Sequence, residues 1–445
     1  MKLLNRRVMV QLAAGAGATL GSLRADAKSS AGGAADTAPP PSVPTDIESL
    51  QRLGEGLTES LLDNYGQVSH QYYDLCHLAN LKAGITSAES TVLDSIVNIA
   101  RLASMGERYA MEWDPAYPMI VKLLSMDRGI PGQPNADSDY QIAPMHGDYS
   151  YRLFSNRGSA RVLNVTVYHG TMSQMERPFF SSLSSQGIEI PGGEEVEIAL
   201  SKEKRRGRWL PMPDGLCFLY IRQYYRDWDT EEPARLVIER EGAVYPPPKS
   251  DMSAVAERVK MMNDWMHTIS NVAIRDASEI LNGEPNTLKA HVFPTGANHE
   301  VDYYSAYSLC KPDEAVVIEF KPPNVRYWGV TLCGVDGGAL QPHTRQVSIN
   351  GHQAAVDANG KVRIVVSHVD PGVRNWLDTS GHDLALIACR ILSPAATPTF
   401  AMKVVPLGQL RANLPKEVAL VSPSERQEML RRRLISSYRR MMVDA

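Results

Sequence analysis

The chain has 445 residues, 43% of them hydrophobic and 22% charged, so it is long enough for two domains with separate hydrophobic cores. Its formal net charge of −4 excludes an overall basic field of the kind that attracts nucleic acid. The five cysteines are widely spaced and contain no C-x-x-C pair, so we expect mostly free buried thiols, with one disulfide as the alternative.

The first 27 residues have the pattern of an export signal. The stretch Asn5-Arg6-Arg7-Val8-Met9-Val10-Gln11 resembles the twin-arginine consensus, an Ala/Gly stretch follows, and Ala25-Asp26-Ala27 fits a cleavage site. The segment is too short and too rich in glycine to span a membrane well. We therefore expect a periplasmic or secreted protein, cleaved near Ala27; a soluble, disordered N-terminus is the alternative. Residues 28–44, rich in Ala, Ser, Gly and Pro, predict a flexible tether.

Residues 45–128 have helical patterns. Thr45-x-x-Glu48 and Thr86-x-x-Glu89 are capping boxes, and hydrophobic residues follow each of them at helical spacing. A turn-rich stretch begins at Gly129. The sequence therefore predicts a helical region over residues 45–128, before a first β domain over residues 129–249.

A strand pattern then occurs twice in the same order. The two copies are joined by four short matches at nearly constant separation: Val165-Thr166 with Val330-Thr331; Val196, Ile198 and Ser201 with Val362, Ile364 and Ser367; Trp209-Leu210 with Trp376-Leu377; and Arg222 with Arg390. An internal repeat limits the possible folds more than any single motif does. The chain is therefore expected to contain two homologous domains, the second over residues 288–406.

Both copies have the patterns of β-strands. Val196, Ile198 and Leu200 alternate with other residues, as in a half-buried strand. The stretches 216–225 and 384–392 are apolar on both faces, which is typical of central strands in packed sheets. We therefore expect a mainly β protein with helical additions, in which the two homologous domains are β-sandwiches or jelly rolls.

Two further helices are predicted. Residues 250–287 have a single apolar stripe and predict a helix that connects the two β domains. Ser422-Pro423-Ser424-Glu425 marks the start of a C-terminal helix within residues 407–445, with arginines around an apolar side. We expect this helix to dock on a β domain with its basic face in solvent; binding to anionic lipid is the alternative.

Three stretches of the second copy form a pattern that extends over the whole repeat. They are Tyr327-Trp328-Gly329-Val330-Thr331-Leu332, the run from Asp370-Pro371-Gly372 through Asn375-Trp376-Leu377-Asp378 to His382, and Arg390. This pattern resembles a bacterial family, the domain of unknown function 1214, which is often joined to the related domain 1254. The first copy, around Trp209 and Arg222, looks like the family's other half. The resemblance implies β-sandwich or jelly-roll domains and frequent export, and it implies no established reaction or catalytic residue.

Arg222 and Arg390 stand at equivalent positions in apolar strand patterns. A buried arginine needs a partner, because an unpaired buried charge is very costly. Two interpretations stay open. One is a structural ion pair, for example with Asp214 or Asp378; the other is a ligand site in which the guanidinium binds a carboxylate or a phosphate.

Asn375, Trp376, Asp378 and His382 are expected to cluster at one corner of the second copy. Asp378 and His382 are candidates for a general base and its orienting partner, and Trp376 is a candidate for stacking on a sugar ring. Alternatively, Asn375 and Asp378 form turn hydrogen bonds, and the tryptophan seals the edge of the sandwich. His382 has no counterpart in the first copy and is therefore the preferred functional candidate of this group.

These observations predict an exported cell-envelope protein that binds a small carbohydrate-like or carboxylated ligand in a β-sandwich cleft. The candidate ligand-binding residues are Trp328, Asn375, Trp376, Arg390, Arg222 and Asp214, and the candidate catalytic residues are Asp378 and His382. A hydrolase or lyase that processes glycans in the same cleft, and a structural or assembly module, stay open as alternatives. The histidines form no H-x-H or H-E-x-x-H motif, so no metal or cofactor is expected. A homo-oligomer is compatible with the sequence.

Overall fold

The computed structural model describes residues 47–83, 89–124, 132–293 and 297–442. The predicted export signal and tether lie outside these residues. Among the helices that are described, none is both long enough and apolar enough to cross a membrane.

The helices and strands follow the order that the sequence predicts. The helices are α1 (Ile47–Ala83), α2 (Glu89–Met111), α3 (Met252–Leu281) and α4 (Pro423–Met442), with short 3-10 helices at Ser184–Gln186 and Leu407–Asn413. The strands of the first β domain are β1 (Val121–Leu124), β2 (Ser138–His146), β3 (Tyr151–Asn156), β4 (Val162–His169), β5 (Phe179–Ser182), β6 (Glu195–Ser201), β7 (Trp209–Pro211), β8 (Leu216–Tyr224) and β9 (Arg235–Arg240). Those of the second are β10 (Lys289–Ala290), β11 (Val301–Leu309), β12 (Glu314–Phe320), β13 (Trp328–Cys333), β14 (Ser348–Asn350), β15 (Val362–Ser367), β16 (Trp376–Asp378), β17 (Leu384–Leu392) and β18 (Phe400–Pro406).

The two β domains have the same topology. In the first domain a five-stranded sheet of order β1-β2-β8-β4-β5 faces a four-stranded sheet of order β7-β6-β3-β9. In the second domain the orders are β10-β11-β17-β13-β14 and β16-β15-β12-β18, so each strand has a counterpart nine strands later. The predicted fold class, two similar β-sandwich domains with helical additions, is therefore confirmed.

The repeat extends to individual hydrogen bonds. Trp209 Nε1 donates to the carbonyl and hydroxyl oxygens of Ser201 at 3.2 and 3.0 Å. In the second domain Trp376 Nε1 donates to the same two atoms of Ser367 at 3.2 and 3.1 Å. In both domains these bonds connect the short strand that contains the tryptophan to the neighbouring parallel strand that contains the serine. The repeated tryptophans therefore hold a corner of each sandwich.

The central strand β8 divides its side chains between two environments. Cys217, Leu219 and Ile221 point into the core of the first sandwich. Phe218 and Tyr220 point to the opposite face and pack against the helices. This alternation follows from the two-residue period of a strand. The outer face of the five-stranded sheet is therefore buried under a helical layer.

The helical layer covers both domains. Tyr72 of α1, Tyr109 of α2 and Trp265 of α3 pack on the first five-stranded sheet. Further along, Ala79 of α1 and Leu281 of α3 pack on β13 and β17 of the second. Helix α3 therefore connects the two β domains, as predicted, and also packs against the five-stranded sheet of each.

The helical region of residues 45–128 is shorter than predicted. Helix α2 ends at Met111, and Val121–Leu124 forms an edge strand that pairs with β2. Pro115 and Pro118 lie between the two elements. Proline lacks the backbone N–H that a helix interior needs, so it ends the helical pattern before the strand begins.

Helix α4 docks on the β domains through arginines as well as apolar side chains. Arg426, Arg433 and Arg440 are buried and stand two helical turns apart, so they share one face. The guanidiniums lie 5.2 Å from the ring of Trp376, 4.2 Å from that of Trp228 and 4.1 Å from that of Tyr225. The expectation that the basic face would be in solvent holds for the exposed Arg431, Arg432 and Arg439 and is wrong for the buried Arg433 and Arg440. The five cysteines are buried free thiols.

Candidate functional site

A cavity lies where the two β domains meet helix α3. Its wall includes Tyr220 and Arg222 of β8, Tyr303 of β11, Arg390 of β17 and Ile269 of α3. The space open to the centres of water molecules inside it is about 130 Å³. One water needs roughly 10–15 Å³ by this measure, so the cavity has room for a ligand on the order of ten non-hydrogen atoms. We call it the central cavity.

Equivalent residues of the two repeats meet in the central cavity. Arg222 of β8 lies opposite Tyr140 of the neighbouring strand β2. Arg390 of β17 lies opposite Tyr303 of the neighbouring strand β11. All four side chains line the cavity. Each repeat therefore contributes an equivalent arginine–tyrosine pair to the same space.

The guanidinium of Arg390 has unused hydrogen-bonding capacity. The residue is 6% exposed, and its Nη2 donates to the backbone carbonyl of Gln133. Its Nη1 has no hydrogen-bond partner among the described residues. The carbon Cζ lies 5.7 Å from the ring centre of Tyr303. A buried N–H of a charged group is costly to leave unpaired, so this atom marks a place for an acceptor.

Aromatic rings hold the second arginine. The Cζ atom of Arg222 lies 3.9 Å from the ring centre of Tyr220 and 5.9 Å from that of Tyr168. Its Nη1 lies 3.5 Å from the hydroxyl oxygen of Tyr168. Stacking of a guanidinium on an aromatic face is favourable and fixes its plane. Arg222 is therefore held in place by side chains that also line the cavity.

Two more charged side chains complete the wall. Arg177 and Asp276 are both buried and both line the central cavity. Asp276 forms an ion pair with its neighbour Arg275, at 3.0 Å between Oδ1 and Nη2. Burial raises the pKa of Asp276 to about 6, against the opposing effect of Arg275. Among the described lining residues, three arginines face one carboxyl group, so the site favours an anion.

The rest of the wall is apolar and aromatic. The rings of Tyr168 and Phe218 stack with their centres 5.3 Å apart. Met172, Ile269 and Val272 also line the cavity. Such a wall accommodates a flat apolar body, while the charged groups fix its orientation. The described residues contain no group of three His, Cys, Asp or Glu side chains placed to hold a metal ion.

The second β domain matches a known family. Residues 307–396 match the model described as "Protein of unknown function (DUF1214)". These residues form a DUF1214 domain. The predicted relation to the domain 1254 stays a prediction. A search of the curated proteins gives no match.

Two solved structures resemble the chain over more than the DUF1214 domain. One is an uncharacterized protein from Burkholderia cenocepacia, which is 25% identical, with a TM-score of 0.71 over 81% of this chain and 99% of that chain. The other is the VPA0106 protein from Vibrio parahaemolyticus, which is 12% identical, with a TM-score of 0.39 over 68% of this chain and 100% of that chain. The first similarity extends well beyond the DUF1214 domain; the second is too low to support an argument.

Asp378 and His382 of the DUF1214 domain lie apart from the central cavity. Asp378 accepts a hydrogen bond from Arg345 at 2.8 Å. His382 is 4% exposed, and its Nε2 lies 2.9 Å from a carboxylate oxygen of Asp94 in α2. Burial lowers the pKa of His382, but Asp94, the Thr379 carbonyl and Asp336 together raise it by more, so the pKa is above its usual value. The structure therefore places this histidine in an ion pair that joins α2 to the DUF1214 domain, and it does not face an open cleft.

The remaining corner residues form contacts typical of structural positions. Asn375 donates to and accepts from the backbone of Ala355 at 2.7 and 2.8 Å. Trp328 packs edge-on against Phe320 in the core of the DUF1214 domain. Trp376 is bonded to Ser367 and covered by α4. These three side chains do not line the central cavity.

Asp214 is also away from the central cavity, because it is exposed and pairs with Lys202 at 2.9 Å. Of the predicted ligand-binding residues, the structure therefore brings Arg222 and Arg390 together at the cavity. Tyr140, Tyr303 and Asp276 also line the cavity and were not predicted from the sequence. One signal was available, because Phe218, Tyr220, Arg222 and Tyr224 occupy every second position of β8 and so share a face.

Proposed function

We propose that the chain binds a small organic anion, specifically an aromatic carboxylate, in the central cavity. The observation that supports this most is the convergence of Arg222 and Arg390 from the two repeats on one cavity, where the buried Nη1 of Arg390 has no hydrogen-bond partner among the described residues. A carboxylate would supply the missing acceptor through a charge-assisted hydrogen bond. The tyrosine and phenylalanine rings would contact its apolar body.

If these arginines had a purely structural role, each would form a buried ion pair and no cavity would lie beside it. Instead, Arg390 has no carboxylate within ion-pair distance among the described residues, and it lines open space. The two carboxylates predicted as structural partners are engaged elsewhere, Asp214 with Lys202 and Asp378 with Arg345. The arrangement therefore favours a binding site over a structural pair.

The binding experiment compares benzoate with benzyl alcohol, a neutral analogue of similar size. Benzoate is expected to raise the melting temperature of the chain in a concentration-dependent manner, because a ligand of the native state stabilises it by mass action. Benzyl alcohol lacks the charge and is expected to cause a much smaller shift. Equal shifts for the two compounds, or none for benzoate, would refute the proposal.

The variant Arg390→Gln is expected to weaken benzoate binding by at least about tenfold, since a hydrogen bond to a charged group contributes about 1.5–3 kcal/mol. Isothermal titration calorimetry measures the dissociation constant. Arg345→Gln is the matched control, because Arg345 belongs to the same domain, is 45% exposed and does not line the cavity. An unchanged affinity in Arg390→Gln would show that the site is elsewhere.

Binding is expected to depend on pH through Asp276. Because burial raises the pKa of Asp276 to about 6, the carboxyl is ionised at about pH 7.5 and largely protonated at about pH 5. Protonation removes the negative charge that repels the ligand anion, so affinity for benzoate should increase severalfold as the pH falls through this range. Asp276→Asn should bind at the lower pH as the native chain does and lose the pH dependence. A native chain with the same affinity at both pH values would contradict the role of Asp276.

We also propose that the chain is exported and cleaved near Ala27. The support is the twin-arginine-like pattern followed by Ala25-Asp26-Ala27. Mass spectrometry of the protein from a periplasmic fraction should show an N-terminus near Lys28. A cytoplasmic protein that keeps Met1 would contradict the proposal.

A further inference from the structure

A second cleft lies between the two β domains and shares no lining residue with the central cavity. Its water-accessible space is about 670 Å³, larger than that of the central cavity. The first β domain contributes Arg157, Arg161 and Arg226 to its wall, and the DUF1214 domain contributes Arg326. We call it the arginine cleft.

The arginines of the cleft have unused donors. Arg157 is 5% exposed; its Nε and Nη2 donate to the carbonyls of Ile190 and Ala160 at 3.1 and 3.0 Å. Its Nη1 has no partner among the described residues, and neither does Nε of Arg226. Two buried guanidinium nitrogens of one cleft therefore lack acceptors within the described part of the chain. Leaving such donors unpaired is costly unless a bound group or water accepts from them.

The carboxylates of the cleft do not neutralise these arginines. Glu231 accepts from the backbone N–H groups of Arg161 and Arg226 at 3.0 and 2.8 Å, and Glu300 accepts from Asn164 at 3.1 Å. Glu189 is exposed. Within the described part of the chain, none of the four lining arginines forms an ion pair. Neutral donors thus use these acceptors, and the nearby Glu231 acts on Arg157 through charge alone, with no ion pair between them among the described residues.

We infer that the arginine cleft binds a phosphate group, as inorganic phosphate or as a phosphate ester. A phosphate has more acceptor oxygens and more negative charge than a carboxylate, and guanidiniums bind it through paired N–H groups. The cleft is larger than a phosphate ion, so there is room for the polar body of an ester beside Ser159, Asn164 and Ser184. This inference does not depend on the ligand proposed for the central cavity.

Calorimetric titration of the full chain in phosphate-free buffer tests the inference, with inorganic phosphate and glycerol 3-phosphate as probes. We expect saturable binding of at least one probe, with affinity reduced at least tenfold in Arg226→Gln and in Arg326→Gln. Arg326 is exposed, so its variant should fold even if that of Arg226 does not. Tighter binding of glycerol 3-phosphate than of phosphate would indicate that the ester body contacts the cleft.

Two control variants, each of an arginine outside the arginine cleft, test where the phosphate probes bind. Arg390→Gln alters the central cavity, and Arg152→Gln removes a half-exposed arginine that pairs with Glu197 and Glu239 outside the cleft. Both should bind the probes with native affinity. Absence of saturable binding with either probe would overturn the inference. Loss of binding in Arg390→Gln, or an equal loss in Arg152→Gln, would also overturn it, because the anion would then bind elsewhere or by net charge alone.

Discussion

Replacing Asp137 by alanine is expected to lower the free energy of unfolding by about 3–5 kcal/mol, because three buried donors lose an acceptor and an unsatisfied buried donor costs about 1–3 kcal/mol. Asp137 is fully buried. Its carboxylate accepts hydrogen bonds from Tyr327 Oη at 2.7 Å, Trp228 Nε1 at 2.8 Å and Asn350 Nδ2 at 2.9 Å. Alanine would leave all three buried donors without this acceptor.

The network around Asp137 joins the two β domains. Trp228 belongs to the first domain, whereas Tyr327 and Asn350 belong to the DUF1214 domain. The close packing also explains Gly329 in β13, because a Cβ atom there would lie 2.4 Å from the hydroxyl of Tyr327 and 2.9 Å from Asp137 Oδ2. Glycine at position 329 therefore leaves room for the Asp137 carboxylate and the Tyr327 hydroxyl.

Urea unfolding at neutral pH measures the effect, as a lower midpoint at an unchanged slope. Asp214→Ala is the control, because Asp214 is exposed and pairs only at the surface, where an ion pair contributes little to stability. Asp137→Asn should give an intermediate loss, because it keeps the size of the side chain and one acceptor oxygen. A loss in Asp137→Ala no greater than in Asp214→Ala would show that the network does not stabilise the fold.

The repeat made most of the fold predictable from the sequence. The short matches between the two copies, such as Val165-Thr166 with Val330-Thr331, lie in equivalent strands. Alternating burial along a strand imposes the same residue spacing in both copies. The end of the helical region was not predicted. There the apolar residues of Val121–Leu124 fit a strand or a helix equally well, and pairing with β2 decides between the two.

The site was only partly predictable, because it depends on contacts between distant parts of the chain. Arg390 bonds to Gln133, 257 residues away, and no local pattern indicates that contact. Conversely, Trp376, Asp378 and His382 were predicted to be functional because a local sequence pattern does not show which residues they contact in the fold. His382 pairs with Asp94 of α2, which lies outside both repeats, so comparison of the repeats gives no indication of this partner.

Contacts with residues distant in sequence also determine which arginines of α4 are buried. Arginines around an apolar stripe normally indicate a solvated face. In this chain Arg433 meets Trp228 of the first β domain and Ser348 of the DUF1214 domain. Those aromatic and polar partners stand far from α4 in sequence, so the pattern of the helix alone cannot reveal them.

The variant Arg433→Ala is expected to destabilise the chain by about 3–5 kcal/mol, as for loss of a buried, hydrogen-bonded charge. Arg433 donates from Nε to the carbonyl of Pro342 and from Nη2 to the hydroxyl of Ser348 at 2.6 Å. Its guanidinium also packs on Trp228. Burial lowers the pKa of Arg433 to about 9, which still leaves it charged at neutral pH. Alanine removes these contacts at once and leaves a cavity between α4 and both domains.

Arg432→Ala is the matched control, one position earlier in the same helix. Arg432 is exposed and pairs with Glu428 at 2.9 Å, a surface pair one turn apart that contributes little to stability. Arg433→Lys should recover little of the loss, because an ammonium group cannot donate to Pro342 and Ser348 in one plane while stacking on Trp228. Urea unfolding compares the three variants. If Arg433→Ala and Arg432→Ala lose the same stability, attachment of α4 does not depend on the buried guanidinium, and the apolar residues of the helix must account for its docking.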